Sequence, residues 1–264
     1  MRRLSSWWLV PSIALSAACG KPADKAAEPP AETVPAAEAG APAGGPKAIV
    51  TVIYNTPKDT AKFEKYYREV HLPLVSANQA EIGFVKADLT RFDANLDGTP
   101  PTLYRQAELY FNSMDDLKKG TATPGFKKVA DDLGNFADGG LTGMIAVETN
   151  EPAAVGSDAP MAIVTVIYQQ PKDPAAFEKY YTDTHLPLVT ANQAEIGFVK
   201  ADLTRFDSNL DGTPPAFYRQ AELYFNSVAD LKKGVATPGF KKVADDLANF
   251  ADGGLVGMTA VETK

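Results

Sequence analysis

The chain is poor in the residues that most often carry chemistry. Cys19 is the only cysteine among 264 residues, so no intrachain disulfide is available and the folded parts must rest on hydrophobic burial. His71 and His185 are the only histidines, too few for a metal centre built from imidazole alone. A glycine-rich dinucleotide fingerprint, a P-loop, a nucleophile elbow and a Cys-x-x-Cys pair are all missing. That leaves no visible nicotinamide or thiol apparatus, and the sequence identifies no cofactor. Basic runs are missing too, and the net charge of −7 argues against a nucleic-acid partner. Both tryptophans, Trp7 and Trp8, fall in the N-terminal stretch and mark no site.

What is there is there twice. Residues 48–149 align with 162–263 without a gap, with about 85 positions identical, a period that repeats a domain and is too long for a solenoid. The two histidines occupy the same place in each copy, within Tyr-Tyr-x-x-x-His-Leu-Pro-Leu. Each copy has about 100 residues, enough for one modest core.

Ahead of the repeats, Arg2 and Arg3 and the apolar run Leu4 to Ala18 read as an export signal over residues 1–18, too short to span a bilayer. Leu15-Ser16-Ala17-Ala18-Cys19-Gly20 resembles a bacterial lipobox, with Ser16 where leucine is usual. Lipidation of Cys19 would anchor the protein in the cell envelope, facing the periplasm. The alternative is ordinary cleavage after Ala18 and a soluble periplasmic protein. Residues 19–47, rich in Ala, Pro, Glu and Gly and free of aromatics, suit a disordered tether. Residues 150–161, broken by Pro152, Gly156 and Pro160, form a linker between the copies.

Within the first copy, Ala48 to Tyr54 is a β-branched apolar run of strand length. A helix starting near Asp59 puts Phe63, Tyr66, Tyr67, Val70 and Leu74 on one apolar stripe. Pro73 restricts the residue before it, so this helix is expected to end or kink around His71. Two alternating strands, Ile82 to Phe92 and Thr102 to Phe111, follow across a loop rich in Asn, Asp, Gly and Pro. Then come helical patterns over Ser113 to Gly120, with Ser113 and Asp116 at capping-box spacing, and over Pro124 to Phe136. A last strand runs from Leu141 to Glu148. The order βαββαβ is the ferredoxin-like arrangement of an α+β protein. One such unit leaves a sheet face bare. Two copies can cover each other, closing an α/β-barrel within one chain as a pseudo-dimer; pairing between two chains is the alternative.

Tyr54 with Pro57, then Phe63-x-x-Tyr66-Tyr67-x-x-x-His71-x-Pro73, and the later Gly125-Phe126 resemble the EthD family of dimeric α/β-barrel proteins. The resemblance covers both copies. It implies single domains that dimerise and a reductase or oxidoreductase activity on a poorly defined substrate; the tandem fusion and the export signal depart from that pattern.

His71 and His185 are the first catalytic candidates, because imidazole transfers protons near neutral pH. At a helix C-terminus the free carbonyls would raise the ring's affinity for a proton. The rival role is structural, with the ring capping those carbonyls before Pro73. Strand parity supplies substrate-binding candidates. Lys86, Asp88 and Glu108, with Lys200, Asp202 and Glu222 in the second copy, fall on the face turned away from the helices. In a lone domain that face is a solvated sheet carrying cross-strand ion pairs. In a barrel it lines a cavity, where ionisable groups need partners or a use. Tyr54, Phe84 and Tyr104, with Tyr168 and Tyr218, would add an aromatic wall. Asp93-x-Asn95-x-Asp97-Gly98 opens like an EF-hand loop, but Tyr104 stands where the closing glutamate is needed. A proline-stiffened hairpin loop is the expectation there, and no metal site.

Two readings follow. In one, each copy is an enzyme site for a small aromatic or carbonyl-bearing compound in the cell envelope, with His71 and His185 as acid or base. In the other, the barrel is a lipid-anchored module that captures a hydrophobic molecule without altering it, haem being a variant.

Overall fold

The computed structural model describes residues 47–150 and 161–263. The export signal, Cys19, the tether as far as residue 46 and nearly all of the linker lie outside them.

The first repeat runs β1 (Ala48–Tyr54), α1 (Thr60–Tyr66), a π-helical turn (Tyr67–His71), α2 (Leu72–Ile82), β2 (Lys86–Asn95), β3 (Arg105–Phe111), α3 (Met114–Thr121), α4 (Pro124–Asp132) and β4 (Leu141–Glu148). The second repeats it as β5 (Ala162–Tyr168), α5 (Pro174–Tyr180), a π-helical turn (Tyr181–His185), α6 (Leu186–Ile196), β6 (Lys200–Asn209), β7 (Arg219–Phe225), α7 (Val228–Val235), α8 (Pro238–Asp246) and β8 (Leu255–Glu262). The βαββαβ order is therefore present twice, and the chain is an α+β protein.

Eight antiparallel strands close into one barrel in the order β1-β3-β2-β8-β5-β7-β6-β4. The repeats are joined by their last strands: β4 pairs with β6, and β8 pairs with β2. Closure removes every open sheet edge, and because both repeats belong to one chain the pseudo-dimer is intrachain. Alternation along β1 shows how the layers arise. Ile49, Thr51 and Ile53 point into the barrel, while Val50, Val52 and Tyr54 point at the helices, so the strand is apolar on both faces.

The barrel is filled. Ile49, Ile53 and Met144 meet Ile163, Ile167 and Met258 from the other repeat in one buried cluster, as an eight-stranded barrel allows. Among the described residues, side chains of both repeats thus meet where a cavity between the two sheets was expected.

The helix before Pro73 does not end at His71 but widens there. Proline lacks an N–H and its ring clashes with the carbonyl four residues back. The chain answers with a π-turn, in which Leu72 N–H bonds the Tyr67 carbonyl, and α2 continues to Ile82 with Pro73 in its first turn. Strand β2 consequently starts at Lys86 and not at Ile82. Gly83, at φ 83°, takes the left-handed turn that stops α2. The Ser113 cap is formed as its spacing suggested, its hydroxyl accepting from Asp116 N–H at 3.1 Å.

Candidate functional site

The π-turn presents Tyr67 and His71 to the sheet together, their rings stacked with centroids 5.6 Å apart and both side chains buried. Such turns frequently interrupt helices at functional positions. Phe136 packs on His71 at 4.8 Å from beyond α4. At the end of α4, Asp132 holds His71 Nδ1 with Oδ2 at 2.9 Å. The other oxygen of Asp132 accepts from Tyr66 Oη at 2.9 Å and Asn135 Nδ2 at 3.0 Å. The second repeat builds the same constellation from His185, Asp246, Tyr180 and Asn249, with His185 Nδ1 again 2.9 Å from Asp246 Oδ2.

Burial pushes the His71 imidazole toward its neutral form, more than Asp132 pulls it toward the charged one, and the net effect is a lowered proton affinity. His185 follows suit. The direction is opposite to the one expected from a helix end, because burial of the ring outweighs the pull of Asp132. The ring makes no capping hydrogen bond, so the capping role falls away. Burial also acts on Asp132, but the hydrogen bonds from His71, Asn135 and Tyr66 outweigh it and keep the carboxyl below its ordinary range. An ionised Asp132 accepts a proton-bearing Nδ1–H, which leaves Nε2 as the unprotonated nitrogen. Among the described residues, Nε2 has no hydrogen-bonding partner.

His71 lines a cavity of about 270 Å³ between the outer face of the sheet and the helices. Its walls are mainly apolar, with Val50, Val52, Leu109, Phe126 and Val129 among them; Tyr54 and Tyr67 supply phenols. His185 lines the counterpart, about 310 Å³, with Tyr168 and Tyr181. Burial lifts the Tyr54 phenol well above its usual range and that of Tyr67 to about 12, so both stay protonated. Among the described residues, the Tyr181 hydroxyl is buried without a partner, which leaves it to be satisfied by a bound molecule or water. Arg105 stacks on the Tyr67 ring at 4.8 Å and forks onto Glu64 at 2.8 and 3.0 Å. Its remaining nitrogen reaches Thr263 of the other repeat at 2.9 Å.

The sheet divides the candidates read from the sequence. Tyr54, His71 and Tyr104, with Tyr168, His185 and Tyr218, lie on the helix side. Lys86, Asp88 and Glu108, with Lys200, Asp202 and Glu222, belong to the barrel side, although Lys200 also touches the rim of the His185 cavity. Tyr104 packs edge-on against Phe63 and donates to Glu64 at 2.8 Å, a structural post outside the His71 cavity. Strand β3 begins only at Arg105, so the alternation that placed Tyr104 inside does not reach it. Phe84 likewise packs under the helices.

Inside the barrel, Glu108 accepts from Tyr110 at 3.2 Å and from Gln220 of the other repeat at 3.4 Å. Glu222 accepts from Tyr224 at 3.1 Å and from Gln106 at 3.4 Å. Burial, then Asp88 and Asp202, push the Glu108 carboxyl up to about 7. Burial, then Glu108, raise Glu222 well above the carboxylate range. Lys86 and Lys200 sit over the Tyr110 and Tyr224 rings and pair with Asp88 and Asp202. The two glutamates are tied across the pseudo-dimer by Gln106 and Gln220, while Asp202 Oδ1 and the amide oxygens of both glutamines are buried without a partner among the described residues. In the β2–β3 loop, Asp97 is taken by Thr99, and Asn95 by Thr99, Pro100 and Thr102, the expected stiffened hairpin. Among the described residues, no three metal-binding side chains converge, and no helix is long and apolar enough to cross a membrane.

Asp132, Asp246 and Arg105 escaped the reading of the sequence. Asp132 extends the three-residue spacing of Phe126 and Val129 on α4, and Arg105 shares strand parity with Ala107, Leu109 and Phe111. A charge on an otherwise apolar face was the signal in both cases.

Comparison with known proteins bears on the family and the fold. The EthD domain matches the chain twice, over residues 55–140 and 169–254. An uncharacterized 11.0 kDa protein of Rhodococcus erythropolis, from the thcB-thcC intergenic region, is 42% identical over 92 residues, 35% of this chain and 85% of that one. Among solved structures, an anthrone oxidase-like protein superposes with a TM-score of 0.56 over 83% of this chain and 92% of its own, at 13% identity, a likeness of fold. An EthD family protein of Bacillus halodurans is 25% identical and covers 38% of this chain and 95% of its own, with a TM-score of 0.34.

Proposed function

The chain belongs to the EthD family, and from that premise we propose that each repeat is the acid–base site of an oxidoreductase acting on a small aromatic or carbonyl-bearing compound. One observation carries the reading: the Nε2 atom of a neutral, aspartate-held imidazole is left free at the wall of an apolar cavity. In that setting His71 Nε2 takes a proton from an acidic C–H or O–H of the bound molecule. The electron pair stays on the substrate as an enolate or aryloxide, and the imidazolium is stabilised by Asp132. Tyr54 and Tyr67, held protonated by burial, donate hydrogen bonds to the developing oxyanion. Water exclusion by the apolar wall strengthens both interactions. His185, Asp246, Tyr168 and Tyr181 do the same in the second repeat.

Cavities of 270 and 310 Å³ stand at the lower end of the range for small-molecule sites. They suit one to three fused rings. Binding without turnover, in the same two cavities, is the competing reading.

Hydrogen–deuterium exchange of 2-indanone, whose C–H groups beside the carbonyl are acidic, separates the two. Exchange faster than buffer that is lost in the double variant His71→Ala/His185→Ala supports catalysis. Saturable binding of 2-indanone with exchange no faster than buffer leaves only a binding protein.

The site is proposed to work in the cell envelope, with Cys19 lipidated. The support is the Arg2-Arg3 and Leu4 to Ala18 pattern ahead of a small-residue run ending at Cys19. Radiolabelled palmitate incorporated by the native chain and not by Cys19→Ala is the expected result; equal labelling of both contradicts it.

A further inference from the structure

Each cavity borrows part of its wall from the other repeat. Leu210, in the β6–β7 loop of the second repeat, lines the His71 cavity, and Leu96, in the β2–β3 loop of the first, lines the His185 cavity. Both leucines are 36% exposed apolar side chains, each followed in its loop by Asp-Gly-Thr-Pro-Pro.

Three features fix them there. The pairing of β4 with β6 shifts register at Ile145 and Ala146, and that of β2 with β8 at Phe92 and Ala94, and such bulges re-aim the chain beyond them. Past the bulge, Leu210 N–H bonds the Gly143 carbonyl and Leu96 N–H bonds the Gly257 carbonyl, each at 2.9 Å. Finally, the two glycines leave room for the leucines. A Cβ on Gly143 would fall 2.5 Å from Leu210 Cδ1, and one on Gly257 would fall 2.6 Å from Leu96 Cδ1. A bare backbone opposite a leucine, in both repeats, is a built contact.

We propose that Leu210 and Leu96 are specificity-determining residues acting across the pseudo-dimer, Leu210 limiting the bulk of the apolar ligand beside His71 and Leu96 that beside His185. The inference rests on the reading of the two cavities as binding sites for small aromatic or carbonyl-bearing molecules. It also means that neither repeat contains a complete site. The second copy covers the first sheet and in addition closes the first cavity.

The scarcity of histidine makes the test clean, since one imidazole reports on each cavity. Protein labelled in its histidine rings is titrated with 2-indanone, and the His71 and His185 signals are followed by NMR, assigned through His71→Ala. In the native chain both signals move. In Leu210→Trp the His71 response is lost and the His185 response persists; Leu96→Trp gives the reverse. Leu210→Ala, which only removes bulk and keeps the fold, changes the apparent affinity at His71 by about tenfold, the scale of a methylene or two in an apolar pocket, with no change at His185. Variants that act on the histidine of their own repeat, or on both equally, overturn the inference and leave the binding reading standing. A probe that moves neither imidazole in the native chain overturns both.

Discussion

His71 Nδ1 and Asp132 Oδ2 lie 2.9 Å apart although 61 residues separate them, and His185 and Asp246 repeat the pair at the same distance. The aspartate fixes which nitrogen carries the proton, and burial decides that the ring is neutral. A base of this kind works only while deprotonated. Turnover therefore falls as pH drops through the His71 pKa, which lies below the usual 6.5.

Asp132→Asn with Asp246→Asn removes the charge that supports the imidazolium. Turnover should fall by about 10²–10⁴-fold, the worth of a positioned acid–base group. The acid limb of the rate profile should move to still lower pH, since Asp132 raises the ring's proton affinity. A limb that stays in place while activity falls points to damage of another kind.

The two dyads serve separate cavities. His71→Ala alone should leave about half of the turnover per chain, His185→Ala the other half, and the pair almost none, as independent sites add. Steady-state rates of the three variants check this. A single variant as inactive as the pair would show one working site.

Glu108 and Glu222 bear on stability. Their protons are bound more tightly in the fold than in the unfolded chain, Glu108 at about 7 against an ordinary 4.5. Their contribution is therefore complete below about pH 4.5 and is lost as pH rises through 7. Urea melts of the native chain should show this decline, and Glu108→Gln/Glu222→Gln should flatten it. A decline of the same size in the double variant assigns it to other groups.

Gly120 marks a close approach of α3 to the end of α2. A Cβ there would lie 2.1 Å from the Ile82 carbonyl oxygen and 2.8 Å from the Phe111 ring. Backbone cannot yield as a side-chain tip does, so Gly120→Ala should destabilise by about 1–3 kcal/mol. Gly134, with open space around it, is the control: Gly134→Ala, already the residue at 248 in the second repeat, should be neutral or mildly stabilising.

The barrel was legible in the sequence because its determinants are local and repeated. The β-branched run Ala48 to Tyr54, the parity of Lys86, Asp88, Gln106 and Glu108, and the duplication itself lead to two sheets covering each other. The site was legible only in part. His71 stood out by scarcity, and its partner did not, since nothing at short range links positions 71 and 132. The assumption that the barrel interior held the ligand then drew Tyr54 and Tyr104 to the wrong side. Tyr54 shares parity with Val50 and Val52, which face the helices, and that alone would have placed it. The π-turn was hidden because Pro73 signals a break as readily as a widened turn.

The central claim is that both histidines are neutral bases with the proton on Nδ1 and Nε2 free. Imidazole ¹⁵N shifts measured from about pH 5 to 8, the span over which an ordinary histidine titrates, test it directly. Two rings that are uncharged at neutral pH, carry the proton on Nδ1 and titrate together below the usual histidine range are the predicted result. Rings protonated on Nε2, or charged at neutral pH, would contradict the account.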